Sequence, residues 1–387
     1  MKILPYSRQK IDNKDIKEVT KVLKSNFLTQ GNKVPEFEKK LVKKLKSKYA
    51  VASNSGTSAL HIACLSLNLK KDDLVWTSAN SFVASINCAK YLGTKVDFLD
   101  IDKDTYNISI NKLEKKLIRA KENKKLPKLI VVVHFAGLPC DLKKIHKLSK
   151  IYKFKIIEDA SHAMGAKYFD SLIGSCKYSD ITVFSFHPVK IITSGEGGMC
   201  LTNNKILKDR MLLFRSHGIT NENKKLFVKK NNQPWYYEQQ TLGYNYRMSD
   251  IHAALGISQL NKLKNFVRQR NKIAQNYYKL LKDLPLILPK KIKGYTSTFH
   301  LFVIRIDYEN TKKSYKQIFN YLRKNKIWVN LHYLPIYNHP FYKKLVLKKK
   351  EFKNMEDYYK SAISIPIYPG LSFSDQIYVK NKLKKIL

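Results

Sequence analysis

Through the first two-thirds of the chain, short apolar runs alternate with stretches long enough for helices. The apolar runs Tyr49–Ala52, Leu74–Thr77, Lys95–Leu99, Leu129–Val133, Lys155–Ile157, Ile181–Phe184 and Gly198–Leu201 read as strands. Between several of them lie Ser58–Leu67, Phe82–Tyr91 and Leu142–Tyr152, which read as helices. Strand–helix alternation predicts an α/β layer around a mixed, mainly parallel sheet, with functional loops at the strand ends. After Met248 the pattern changes. A long helical stretch, Asp250–Leu281, leads to Pro285 and Pro289, then a strand at Leu301–Ile306, a helix at Tyr315–Asn325 and a second strand at Trp328–Leu331. The expectation is a large α/β domain over residues 1–255 and a smaller α+β domain over 256–387.

The length of 387 residues suits such a two-domain enzyme. Charge changes the picture less than its size suggests. The formal net charge is +43, yet only nine of the 73 basic residues are Arg, and the Lys are scattered. Nucleic-acid sites use clustered basic residues, often Arg beside aromatics, so no nucleic-acid partner is expected. The excess still favours anionic small molecules. The run Lys343–Lys350 reads as solvated surface. Five Cys without Cys-x-x-Cys spacing argue against a disulfide framework or a zinc site and for a reducing compartment. No run approaches the 18 apolar residues of a membrane span, and Met1–Lys10 holds no apolar core of signal-peptide length. The expected location is the cytoplasm, with no metal and no membrane.

Three segments carry candidate chemistry. Asn54–Leu60 (Asn-Ser-Gly-Thr-Ser-Ala-Leu) joins a strand to a helix start, where free backbone N–H groups and the positive end of the dipole suit a phosphate. An ordinary Ser/Thr helix cap reads the same way. In Ile156–Ala163, Asp159 closes a strand where open α/β sheets bind ligands, and His162 follows three residues on. A carboxylate held ionised there pairs with a cationic ring nitrogen, and an Asp helix cap is the alternative. The third segment is the most specific: Ser185-Phe186-His187-Pro188-Val189-Lys190, then Thr193-Ser194-Gly195-Glu196-Gly197-Gly198. It places a Lys directly after a strand, in a loop braced by Pro and closed by Gly. A desolvated Lys with a lowered pKa is the side chain that forms Schiff bases. Cradle, Asp and Lys, in that order, are the set that pyridoxal phosphate needs, and the order resembles fold-type I pyridoxal-phosphate enzymes.

The segments Asn54–His61, Glu158–Gly165, Ser185–Gly198, Arg215–Ile219 and Gly243–Met248 resemble the DegT/DnrJ/EryC1/StrS family of sugar aminotransferases. Tyr6-Ser7, Phe27–Gly31, Ser185–Lys190 and His332-Tyr333 are similar to the branch of pseudaminic acid biosynthesis that aminates UDP-4-keto-6-deoxy-N-acetylhexosamines. The resemblance runs from Tyr6 to about Pro369. It implies that Lys190 holds pyridoxal 5'-phosphate and shuttles the proton. By the same matching Asp159 pairs with the pyridine nitrogen, His162 sits near the ring hydroxyl, and Phe82 covers the ring face. Gly56, Thr57 and Ser185 hold the phosphate, and Asn245 reaches the phosphate of the neighbouring subunit's cofactor, which implies a homodimer with shared sites. Tyr6, the loop Asn26, Phe27, Leu28 and Thr29, and the segment Asn330, Leu331, His332 and Tyr333 are implied for the nucleotide-sugar site, and L-glutamate for the amino donor. Ile191 departs from a frequent Pro, Gly56 from the branch's frequent Ala, and Asn330 from its frequent Gln. Asn330 would keep the hydrogen bond with a shorter reach, while Gly56 leaves room for a sibling: a UDP-4-keto sugar transaminase of other stereochemistry (the D-xylo epimer) or a 3-ketosugar enzyme; a non-catalytic basic binding or regulatory protein on this scaffold is the remote alternative.

Overall fold

The computed structural model describes residues 3–222, 224, 226–228, 233–345 and 349–387. Seven strands form the central sheet in the order Tyr49–Ser53, Gly198–Thr202, Ile181–Ser185, Lys155–Asp159, Leu129–Val133, Leu74–Ser78, Lys95–Leu99. Gly198–Thr202 runs antiparallel to both neighbours, and all the other pairings are parallel. The apolar runs become strands because both faces are covered. Val51, Leu129, Val131, Ile157 and Val183 face one core, while Ala50, Ala52, Ile130, Val132 and Ile156 face the other. That alternation is the two-residue period of a strand set between two helical layers. The strand Leu129–Val133 is buried at every position.

Helices begin where short polar side chains take the first free N–H groups. Ser55 caps Gly56–Ser66 with a reciprocal capping box through Ser58, and Ser249, Ser314 and Ser372 cap later helices. Each such cap contributes about 1 kcal/mol. The helix Asp250–Leu280 has 31 residues and, at 1.5 Å per residue, is about 46 Å long. It runs unbroken through residues 255 and 256, from contacts with the helices Asn13–Leu23 and Lys33–Leu45 to a third core. That core holds Tyr277, Phe302, Ile304, Ile318, Ile363, Val379 and Leu383.

Two local expectations are corrected. The strand expected at Trp328–Leu331 is only Ile327–Trp328, paired in parallel with Leu4–Pro5. The Val329 N–H bonds back to the Ile327 carbonyl at 2.9 Å, a tight turn that ends the ladder. Asn330 then pairs with Ser364, and the chain swings toward the sheet edge. The helix expected from Phe82 starts at Ala84, which leaves Phe82 outside it and 57% exposed. Of the lysine-rich run, Lys343, Lys344 and Lys350 are exposed, and residues 346–348 lie outside the described residues.

The N-terminal segment is tied down by a buried guanidinium. Arg270 donates to the carbonyls of Phe299, His300 and Ile367 at 3.2, 3.2 and 2.8 Å, and to the Ser7 hydroxyl at 3.2 Å. Ser7 in turn donates to the Val189 carbonyl at 3.1 Å, next to Lys190. Burial without a carboxylate partner pulls the Arg270 pKa down to about 9.

Candidate active site

The parallel strands deliver Asp159, Ser185 and Ser53 to one edge of the sheet, where a cavity of about 730 Å³ opens. Asp159 ends the fourth strand in register with Val133 and Val183, and is buried. Its Oδ1 accepts the Ser161 hydroxyl at 2.6 Å and the Ser161 N–H at 3.1 Å; its Oδ2 accepts the Ser85 hydroxyl at 2.6 Å.

Lys190 follows the strand Ile181–Ser185 in a tight loop, its N–H donating to the His187 carbonyl at 2.9 Å. The return is held by Ser194 N–H and the Thr193 hydroxyl on the Phe186 carbonyl, and it turns at Gly195 with φ +80°, a left-handed value that favours glycine. Desolvation pulls the Lys190 pKa down to about 8, against the opposing pull of Asp159. Part of the amine is therefore uncharged and nucleophilic near neutral pH.

Beside them lies the N-terminus of the helix Gly56–Ser66. Ser55 takes the Ser58 N–H at 3.0 Å, and the first-turn positions Gly56 and Thr57 face the cavity. First-turn N–H groups have no acceptor within their own helix, so they suit an anion.

Neutral aromatic and imidazole side chains close the other side. His162 Nε2 lies 3.1 Å from the Tyr333 hydroxyl, and the His162 and His300 rings are 4.2 Å apart. Burial drives His162 and His300 well below the usual imidazole range, and takes His332 down to about 3. Tyr6 packs its ring on His332 at 4.7 Å, and His332 Nδ1 lies 2.8 Å from the Ser364 hydroxyl.

Twelve of the residues singled out in the sequence line this one cavity: Tyr6, Gly56, Thr57, Phe82, Asp159, His162, Ser185, Lys190, Asn330, Leu331, His332 and Tyr333. The loop Asn26–Thr29 and Asn245 do not reach the cavity of their own chain. Thr29 bridges to Ser249, and the Leu28 carbonyl accepts the Asp250 N–H at 2.9 Å, which anchors the loop on the start of the long helix and leaves Phe27 63% exposed. Asn245 is exposed, bridges to Ser216 and accepts at its carbonyl from Asn54 Nδ2 at 3.3 Å. Sequence reasoning missed Ser85, Ser161 and His300. The Asp-Ala-Ser spacing is an Asx-turn signal for Ser161. Nothing local marks Ser85, 74 positions from Asp159. All five Cys are buried and free, and among the described residues no three His, Cys, Asp or Glu side chains group as a metal site. No helix among them is long and apolar enough to cross a membrane.

With this geometry in hand, comparison with known proteins is direct. The chain matches the DegT/DnrJ/EryC1/StrS aminotransferase family over residues 9–384. It is 41% identical over 386 residues to the UDP-4-amino-4,6-dideoxy-N-acetyl-beta-L-altrosamine transaminase of Campylobacter jejuni subsp. jejuni serotype O:2, covering 100% of this chain and 98% of that one. The structure of Helicobacter pylori PseC, an aminotransferase of pseudaminic acid biosynthesis, superposes with a TM-score of 0.88 at 32% identity, covering 100% and 99% of the two chains. The PLP form of the sugar aminotransferase Spr1654 from Streptococcus pneumoniae gives 0.87 at 25% identity and covers both chains fully. Sheet order, cavity position and these similarities agree: the chain belongs to the DegT/DnrJ/EryC1/StrS aminotransferase family and has its α/β fold.

Proposed function

We propose that the protein is a pyridoxal-phosphate-dependent aminotransferase acting on the C4 ketone of a UDP-linked 4-keto-6-deoxy-N-acetylhexosamine, the L-arabino epimer, with L-glutamate as donor. The products would be UDP-4-amino-4,6-dideoxy-N-acetyl-β-L-altrosamine and 2-oxoglutarate. The observation that carries the reading is the meeting, in one cavity, of a desolvated Lys190 amine, the buried Asp159 carboxylate and a helix N-terminus.

The residues fit the cofactor. A Cβ on Gly56 would lie 2.8 Å from the Ser185 Cβ, so glycine lets the cradle backbone close on the hydroxyl that would share the phosphate. Gly56, Thr57 and Ser185 would hold that phosphate, Asp159 the ring nitrogen, and Lys190 the aldehyde carbon. When bound, pyridoxal phosphate supplies an electrophilic carbon and a ring that accepts an electron pair. The Lys190 amine, with its pKa near 8, takes and returns the proton at the reacting carbon of glutamate and then of the sugar. Holding that carbon beside Nζ replaces a bimolecular proton transfer with an intramolecular one. Tyr333, held at 3.1 Å by neutral His162, helps exclude water from the same space.

Phe82 would cover the face of the cofactor ring, Tyr6 and Tyr333 offer flat surfaces for the uracil and sugar rings, and the names of the similar proteins favour a UDP-4-keto sugar. Among the cavity's lining residues Lys190 is the one Lys or Arg. A phosphate and a diphosphate then call for further hydrogen-bond donors than this chain's cavity supplies, which supports a homodimer in which Asn245 and the Asn26–Thr29 loop serve the partner's site. The reading also favours the cytoplasm, where the soluble nucleotide sugar and glutamate are found.

The test offers the cofactor-loaded enzyme each C5 epimer of the UDP-4-keto sugar with glutamate, and follows the amino sugar by chromatography. Preference for the L-arabino epimer supports the proposal. Preference for the D-xylo epimer keeps the chemistry and changes the sugar. Lys190→Ala should fold and lose turnover; full activity in that variant rules the mechanism out.

A further inference from the structure

Asp159 does not stand alone in its site. The Ser85 hydroxyl donates to Oδ2 at 2.6 Å and itself lies 2.6 Å from the Ser81 hydroxyl. Ser85 has one proton and gives it to the carboxylate, so Ser81 must donate to Ser85, and the two buried serines form a one-way chain ending on Oδ2. Oδ1 receives both the hydroxyl and the N–H of Ser161, at 2.6 and 3.1 Å. A carboxylate oxygen accepts at about two positions. Both are taken on Oδ1, and one is left on Oδ2.

We propose that Ser85 and Ser161 are positioning residues that fix Asp159 so that Oδ2 is the atom meeting the ring nitrogen of the bound cofactor. The inference rests on the cofactor reading above. The other groups near the carboxylate are Lys190 from its loop, His162 from the same turn, Cys88 one helical turn beyond Ser85, and Tyr333 from the segment after the Ile327–Trp328 strand. None of them has a hydrogen bond to Asp159, so the serines carry the orientation. Without the Ser85 bond the carboxylate would be free to turn, and Oδ2 would pair less well with the ring nitrogen. A bound ring would then hold its positive charge less firmly, and Lys190 Nζ, joined to the cofactor, would titrate at higher pH.

The experiment records the visible absorbance of the cofactor-loaded protein against pH for the wild type, Ser85→Ala, Ser85→Thr, Ser161→Ala and Asp159→Asn. Steady-state kinetics and apo-form melting are measured on the same samples. In Ser85→Ala the band's titration midpoint should rise by about one pH unit, with kcat down about tenfold and KM within about twofold. Ser85→Thr, which keeps the hydroxyl, should restore the midpoint. Ser161→Ala should move it less, because the Ser161 N–H remains on Oδ1. If Ser85→Ala does not fold, Ser161→Ala against Asp159→Asn carries the test. An unmoved midpoint in the serine variants, with a clear shift in Asp159→Asn, overturns this inference and leaves the cofactor reading intact. An unmoved midpoint in Asp159→Asn, or a wild type that acquires no visible band, overturns the cofactor reading and this inference together.

Discussion

Gly56 and Ser185 face each other at one end of the cavity with no room for a methyl group between them: a Cβ on Gly56 would sit 2.8 Å from the Ser185 Cβ and 3.0 Å from its Oγ. One lies at the first turn of a helix and the other at the end of a strand, and their contact sets the width of the cradle. Gly56→Ala should therefore push Ser185 aside and weaken cofactor retention several-fold on dialysis. Overpacking of this kind costs about 1–3 kcal/mol, visible as a lower melting temperature. Adding Ser185→Gly should recover the stability but not the retention. Unchanged retention in Gly56→Ala would show that this contact does not set the width of the cradle.

Lys190 sets a pH dependence. Its pKa in the fold is about 8, against an ordinary 10.5, so the uncharged amine that attacks an aldehyde is half populated near pH 8. Uptake of pyridoxal phosphate by the apo form should speed up about tenfold per pH unit below 8 and level off above it. The lowered pKa also costs stability below pH 8. That cost fades as pH rises from 8 to 10.5, since the unfolded chain there binds more protons than the folded one. Urea unfolding of the apo form should show this gain, and Lys190→Met should lack it.

Acid should unfold the protein through its buried histidines. His162, His300 and His332 are neutral in the fold and titrate far below the ordinary 6.5. Below 6.5 the unfolded chain binds more protons, so stability falls with pH, by up to about 1.4 kcal/mol per unit for each histidine. His300 Nδ1 is buried without a partner, so His300→Phe removes one titrating group and no hydrogen bond there. His61, lowered by burial to about 4, adds a fourth such group, so the slope of unfolding free energy between pH 6 and 5 should drop by about a quarter of the part these four share. An identical slope would mean that His300 is not buried neutral.

The shared-site reading makes a prediction about assembly. Phe27 is 63% exposed and Leu242 74%, both apolar and both near segments that miss their own cavity. Exposed apolar groups of this size are expected at contacts between copies. The unchanged chain should scatter light as a dimer, and Phe27→Asp with Leu242→Asp should scatter as a monomer and lose turnover, with Lys190 untouched. A variant that is monomeric and fully active would refute sharing.

Local signals carried much of the architecture. The runs Lys95–Leu99 and Leu129–Val133 and the helix Leu142–Tyr152 coincide with the observed elements, the other five strands expected before Met248 end one or two residues short, and Leu301–Ile306 begins one residue early. These elements are legible because burial on both faces demands continuous apolar residues, and because Ser and Asp caps act within three or four residues of the helix they start. The expected strand at Trp328–Leu331 failed for a related reason: a turn closed by Val329 N–H on the Ile327 carbonyl leaves no mark in hydrophobicity.

For the site, sequence alone determined where the candidate groups sit: Lys190 after a strand, Asp159 closing another, and Gly56 and Thr57 opening a helix are each fixed by their immediate neighbours in the chain. Only the tertiary structure decided what those groups become. The lowered Lys190 pKa comes from desolvation by segments far away in sequence, and the Asp159 carboxylate is set by Ser85, 74 positions before it. It also turned the Asn26–Thr29 loop and Asn245 away from their own cavity. Periodicity and capping are short-range and can be read along the chain; solvent exclusion and hydrogen bonds between distant elements exist only once the chain has folded.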